Sequence, residues 1–179
     1  MNNSTMPPGN ENVALLIIDV QRGLFNRPTP IYRADRLLKN IQTLVDHSHE
    51  KCIPVFYIQH ENKSMLAKGT EAWELHPQMH PESGDGLIHK RHGSAFQETD
   101  LEKELIAREV GKIIVTGLVT QGCVRATCLN ALELGYKVLL VEDAHSNYSK
   151  DAERIIEEWH NKLSEKGVEL IATEEIQFG

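Results

Sequence analysis

Cys123 stands in Thr116-Gly-Leu-Val-Thr-Gln-Gly-Cys-Val, where an apolar strand runs through a short turn into a helical pattern. A thiol in the first turn of a helix faces unpaired backbone N–H groups and the positive end of the helix dipole. Both favour the thiolate, which predicts a pKa below the free value of about 8.5. The same N–H groups would receive an oxyanion if the thiolate attacked a carbonyl. The alternative is a small residue buried at a helix start, since free cysteine often packs as a hydrophobe. Asp19 ends the apolar run Val13 to Ile18. A carboxylate there either caps the following turn or serves as an acid/base group. Lys90, in Ile88-His-Lys-Arg-His-Gly-Ser-Ala-Phe, says little by itself, because most lysines are solvated. The three together are more specific: a thiol, a carboxylate and an ammonium are the parts of an activated nucleophile for acyl transfer.

These residues act together only if the fold brings three distant segments to one edge. Val13 to Ile18 is a continuous apolar run, as expected of a strand buried on both faces. From Arg33 the period changes: Ala34, Leu37, Leu38, Ile41, Leu44 and Val45 line one helix face. A second strand is predicted over Ile53 to Ile58, with Pro54 at its start, and a short third over Leu87 to Lys90. A helix is expected from about Asp100 to Arg108, a strand over Lys112 to Thr116, and a helix from about Gly122 to Leu134 with Gly135 as its C-cap. Val138 to Val141 reads as a strand ending at Glu142 and Asp143. A last helix would bury Ile155, Ile156, Trp159 and Leu163 and stop near Gly167, before a final strand over Val168 to Ala172.

Strands alternating with helices imply right-handed βαβ units. The expected fold is α/β: a three-layer α/β/α sandwich around a mainly parallel sheet of about six strands. Ligands of such sheets bind beyond the carboxyl ends of the strands, which is where Asp19, Gln21, Gln59, His60, Lys90 and Cys123 fall. Glu61 to Gly86 has no clear period and contains Pro77, Pro81, Gly69, Gly84 and Gly86, which predicts a functional lid or binding loop, part of it helical.

Composition bounds the partners. The chain has 179 residues, 40% hydrophobic and 25% charged, with a formal net charge of −7. It fits one ordinary globular domain, expected over 13–179 behind a flexible arm at 1–12. Asp plus Glu (26) outnumber Lys plus Arg (19), a poor balance for nucleic acid. No apolar run approaches the ~20 residues of a membrane span, and the polar opening does not read as a secretion signal. Cys52, Cys123 and Cys128 are an odd set without CxxC spacing, pointing to a reducing cytoplasm and free thiols. Cys52 reads as a core filler. Cys128 lies about 140° around a helix from Cys123, so the two should not pair.

Three motifs carry a resemblance: Ala14-Leu-Leu-Ile-Ile-Asp-Val-Gln, His89-Lys-Arg-His-Gly-Ser-Ala-Phe and Val115-Thr-Gly-Leu-Val-Thr-Gln-Gly-Cys-Val-Arg-Ala-Thr, with the late Val141-Glu-Asp-Ala also fitting. Over roughly Val13 to Val168 the chain resembles the isochorismatase-like cysteine hydrolases, a family that includes nicotinamidases, N-carbamoylsarcosine and ureidoacrylate amidohydrolases, streptothricin hydrolases and isochorismatases. The resemblance implies a catalytic triad of Asp19, Lys90 and Cys123 and a cis peptide at Leu118–Val119, with the Val119 and Cys123 N–H groups as oxyanion hole. It implies hydrolysis of a C–N bond in a small carboxamide, lactam, carbamoyl or ureido substrate through a thioester, and a homo-oligomer, dimer or tetramer.

Within the family, nicotinamidases bind a divalent metal through an Asp-x-His motif after the second strand. Here that segment is Tyr57-Ile-Gln-His-Glu-Asn, so no metal and no cofactor are expected. Isochorismatases cleave a vinyl ether and lack the cysteine, so Cys123 favours amide hydrolysis. The segment Glu71-Ala-Trp-Glu-Leu-His-Pro-Gln is similar to the metal-free branch, where such a loop covers the pocket. Trp73 then stacks on substrate or pins the loop. Leu24 and Phe25 line the pocket or pack, and Gln21 and His60 are candidates for polar substrate contact. The competing reading is a non-catalytic binding or regulatory protein, or a thiol sensor, on the same fold.

Overall fold

A computed structural model describes residues 11–178. Most of the arm expected at 1–12 lies outside the described residues. Its last two residues are tied down: Glu11 pairs with Lys137 at 2.5 Å, and the Asn12 carbonyl accepts the N–H groups of Gly111 and Lys112.

The apolar runs become the strands β1 (Val13–Ile18), β2 (Val55–His60), β3 (Gly86–Lys90), β4 (Lys112–Leu118), β5 (Lys137–Ser146) and β6 (Glu169–Ile171). All neighbours are parallel, in the order β3-β2-β1-β4-β5-β6. The helices are α1 (Arg22–Phe25), α2 (Ala34–Glu50), α3 (Leu101–Ala107), α4 (Arg125–Glu133) and α5 (Ala152–Glu165). Because side chains alternate along a strand, the sheet has two apolar faces. Leu15, Ile17, Val55 and Tyr57 pack with Leu37, Leu38, Ile41 and Leu44 of α2. On the other face, Leu16, Ile18, Phe56 and Ile58 pack with Leu101 and Leu105 of α3, Cys128 and Ala131 of α4 and Leu163 of α5. The strand order reverses direction between β1 and β4. A crevice opens at such a switch point, and Asp19 and the turn bearing Cys123 both flank it.

Several expectations need correction. β5 runs five residues past Val141 because its polar residues find partners at the sheet rim. Asp143 Oδ1 accepts Thr173 N–H at 2.9 Å and Thr173 Oγ1 at 2.7 Å, and the Asp143 carbonyl accepts Asn40 Nδ2 at 2.8 Å. Ile155, Ile156 and Trp159 of α5 are only half-buried, and Leu163 alone of the expected set is fully covered. Cys52 is exposed, just past the end of α2, and fills no core.

The segment between β2 and β3 contains no helix and is a fastened wall, not a loose lid. Gly23 N–H bonds the Ala72 carbonyl (2.8 Å), Arg22 N–H that of Glu74 (2.9 Å), and His76 N–H that of Val20 (2.8 Å). Leu66 and Met79 are buried in the α2 face. This approach requires Gly23, since a Cβ there would sit 2.9 Å from the Ala72 carbonyl oxygen. Gly117 is tighter still. It sits at a register shift in β4 with φ +110°, and a Cβ would lie 2.1 Å from the Ile18 carbonyl oxygen. Gly117→Ala is therefore expected to lose on the order of 3–5 kcal/mol in urea unfolding, from backbone strain and steric overlap together. Gly135→Ala, at φ +90° with open space around it, should lose only about 1–2 kcal/mol. Equal losses would refute the close approach of β4 to β1.

Candidate active site

Parallel register assembles the site. Ile18 pairs with Ile58, and His60 pairs with Lys90, so the ends of β1, β2 and β3 are aligned. Asp19, one residue past β1, takes a left-handed conformation (φ 53°), which aspartate tolerates better than most residues. Lys90 ends the outer strand β3. Its four-carbon stem carries the ammonium inward to Asp19 and to Cys123, which lies beyond β4. Lys90 is 1% exposed, and such a burial is tolerable only if the charge is compensated. Nζ lies 3.0 Å from Asp19 Oδ2 and 3.1 Å from each of His60 Nδ1, the His92 carbonyl oxygen and Cys123 Sγ. Three N–H bonds thus face four acceptors.

Cys123 does not sit in the first turn of an α-helix. It lies in a wide π-type turn, Thr120–Val124, broken at Gly122 (φ −108°, ψ −111°), with α4 starting only at Arg125. The Leu118–Val119 peptide leading into this turn is cis. The thiol pKa is pushed up to about 12, by burial first and then by the charge of Asp19, against the opposing pull of Lys90. The expected depression is therefore reversed. Desolvation and a neighbouring carboxylate outweigh the dipole, and the resting sulfur keeps its proton.

His60 is the fourth member of this cluster. Burial and then the Lys90 charge lower its pKa, so the ring is neutral near pH 7. Because Lys90 donates to Nδ1, the ring proton belongs on Nε2. Asp19, His60 and Cys123 offer ligand atoms within 4.8 Å of one another, a set that could hold a metal ion. All three already converge on the Lys90 ammonium. Asp19 Oδ1 is buried with no hydrogen-bond partner among the described residues.

The other candidates divide. Gln21 is fully buried, and its amide is committed. Nε2 donates to the carbonyls of His60 (3.0 Å) and Trp73 (2.7 Å), while Oε1 accepts His60 N–H (2.8 Å). It clamps β2 to the wall and has no donor left for a ligand. Leu24 is a core residue of the α2 face, and Phe25 packs beside it with its ring 4.5 Å from that of His76. Trp73 packs on the same face, edge-on to His89 at 5.0 Å, its carbonyl also accepting Gln59 Nε2 at 3.0 Å. It pins the loop. Val119 and Cys123 share one turn, as the motif spacing requires.

The sequence from residue 13 to 175 matches the model of the isochorismatase domain family. The chain belongs to the isochorismatase family. Streptothricin hydrolase of Streptomyces noursei is 31% identical over 137 residues, covering 75% of this chain but only half of that protein. The isochorismatase family protein YddQ of Bacillus subtilis, itself uncharacterized, is 32% identical over 136 residues, covering 73% of this chain and 76% of that one. The crystal structure of another isochorismatase family protein superposes with a TM-score of 0.85 at 26% identity, over 90% of this chain and 98% of that chain. Among the described residues no helix is long and apolar enough to cross a membrane.

Sequence reasoning missed one contributor in this family member, the His92 carbonyl, because a backbone acceptor leaves no mark in residue type. The opposed influences on Cys123 yield a test by alkylation with iodoacetamide at pH 7, followed by peptide mass spectrometry. Asp19→Asn removes the charge that raises the thiol pKa, so Cys123 should alkylate faster, about threefold for each unit by which the pKa falls. Lys90→Met should slow it. Labelling slowed by Asp19→Asn would contradict this electrostatic balance.

Proposed function

We propose that this protein is a cysteine amidohydrolase, cleaving the C–N bond of a small carboxamide, lactam, carbamoyl or ureido compound with Cys123 as nucleophile. One observation carries the assignment: a single buried ammonium lies within 3.1 Å of both a carboxylate and a thiol at the switch point of the sheet. A core packed for stability alone has no use for this arrangement, since a buried pair often stabilises less than an apolar filling would. A thiol sensor is disfavoured by the raised thiol pKa, because sensors depend on an exposed thiolate.

Asp19 takes the thiol proton: a carboxylate oxygen lies within 4.8 Å of the Cys123 sulfur, and Oδ1 has no competing partner among the described residues. As the thiolate forms, Lys90 strengthens its bond to sulfur, because the ammonium then faces a full negative charge. The thiolate attacks the carbonyl carbon, and the backbone N–H groups of Val119 and Cys123 receive the oxyanion. Asp19 returns the proton to the leaving nitrogen, which departs as ammonia or amine and leaves a thioester. Asp19 then deprotonates the attacking water, and collapse of the second tetrahedral species releases the acid and the thiol. His60, neutral with its proton on Nε2, holds Lys90 and offers a donor toward substrate. We take Val13 onward as one catalytic unit that self-associates, with half-buried Ile155, Ile156 and Trp159 on α5 available to a second copy.

The experiment is a release assay for ammonia and amine over nicotinamide, carbamoylated amino acids, ureido acids and lactams, with and without added zinc. Turnover without zinc is expected for at least one class. Cys123→Ala should lower it by on the order of 10³-fold or more, and Asp19→Asn nearly as far. Turnover retained in Cys123→Ala would overturn the assignment. The mass in solution, by light scattering, should exceed that of one chain.

A further inference from the structure

Thr120 opens the turn that carries Cys123 and is fully buried. Its Oγ1 lies 2.9 Å from His145 Nδ1, and His145 Nε2 lies 2.8 Å from His160 Nε2. His145 is 4% exposed, near the end of β5, in register with Gly117 of β4. His160, on α5, borders a cavity of about 380 Å³ between α2 and α5. Burial drives the pKa of His145 down to about 3 and lowers that of His160. Both rings are therefore neutral near pH 7, and one must donate to the other. Two imidazoles and a hydroxyl thus form a hydrogen-bonded chain from the surface to the turn, with no part in the steps above. Apolar side chains would fill this space without the desolvation penalty of polar groups. A satisfied polar chain instead fixes a unique geometry at its inner end.

We propose that His145 and His160 are positioning residues that act through Thr120 to hold the Val119–Cys123 turn in its oxyanion-binding geometry. The proposal rests on Cys123 being the nucleophile. It follows from placement: Val119 immediately precedes Thr120, so a shift of the Thr120 side chain moves the Val119 N–H, and Cys123 follows three residues on. A displacement near 1 Å at such a site lowers turnover by about a hundredfold.

The test uses the full chain and an amide found in the release assay. Thr120→Val and His160→Phe are each expected to lower kcat about tenfold to a hundredfold, with KM changed by less than about twofold. The double variant should be no worse than the poorer single one, since both break one chain. Thr120→Ser should restore kcat. Should Thr120→Val fail to fold, His160→Phe, on the half-buried outer ring, is judged alone on the same kcat and KM criteria. Lower thermal stability with unchanged kcat in all variants, or losses that multiply in the double variant, would overturn the proposal. Failure of the nucleophile assignment reads differently, as turnover surviving in Cys123→Ala. If no amide is hydrolysed, the ratio of Cys123 to Cys52 alkylation is read instead. It should change more than about threefold in Thr120→Val but not in Thr120→Ser, and unchanged ratios would overturn the proposal.

Discussion

The ammonium of Lys90 is the group around which the rest of the site is arranged. A buried cation is tolerated only where acceptors replace its water, and here Asp19, His60, the His92 carbonyl and Cys123 do so. Each acceptor comes from a different position in the chain, so one charge ties together the ends of β1, β2 and β3 and the turn after β4. The same charge orders the protonation states. It adds to burial in keeping His60 neutral and opposes the rise of the Cys123 pKa, while burial and Asp19 set the resting state as thiol beside carboxylate. The proposed chemistry then needs only a short proton shift within a set whose total charge stays constant.

The scaffold serves that geometry with little slack. Gly117 lets β4 pass so close to β1 that any side chain would overlap the Ile18 carbonyl. The extension of β5 to Ser146 carries His145 beneath the turn. The wall between β2 and β3 is bonded to α1 and to Val20 before it by backbone contacts.

How much of this was legible in the sequence varies with the length scale of the cause. Val13 to Ile18 announces a strand because six successive apolar residues suit only a chain buried on both faces. The i, i+3, i+4 spacing from Ala34 to Val45 likewise announces α2. The true end of β5 is hidden because Glu142 and Asp143 look like a strand end, and the partners of Asp143, Asn40 and Thr173, lie far away in sequence. Gln21 and Trp73 looked like substrate contacts because polar and aromatic residues near a strand end suit that role. The Gln21 amide is used up on the His60 and Trp73 backbones, and its bond to the Trp73 carbonyl leaves the Trp73 indole itself uncommitted. Cys52 looked apolar enough for a core yet sits exposed past the end of α2.

Residue type and order alone determined the alternation of strands and helices, the parallel sheet it demands, and the placing of Asp19, Lys90 and Cys123 at the carboxyl ends of strands. Those are consequences of local periodicity and of short right-handed connections, which a chain carries in its own pattern. Only the tertiary structure decided the protonation of Cys123, the tautomer of His60 and the direction of every side chain in the wall. Desolvation and Coulomb interaction depend on distances between residues far apart in sequence, and no local pattern encodes those distances. The sequence supplied a thiol, a carboxylate and an ammonium; burial made the thiol the one that holds the proton.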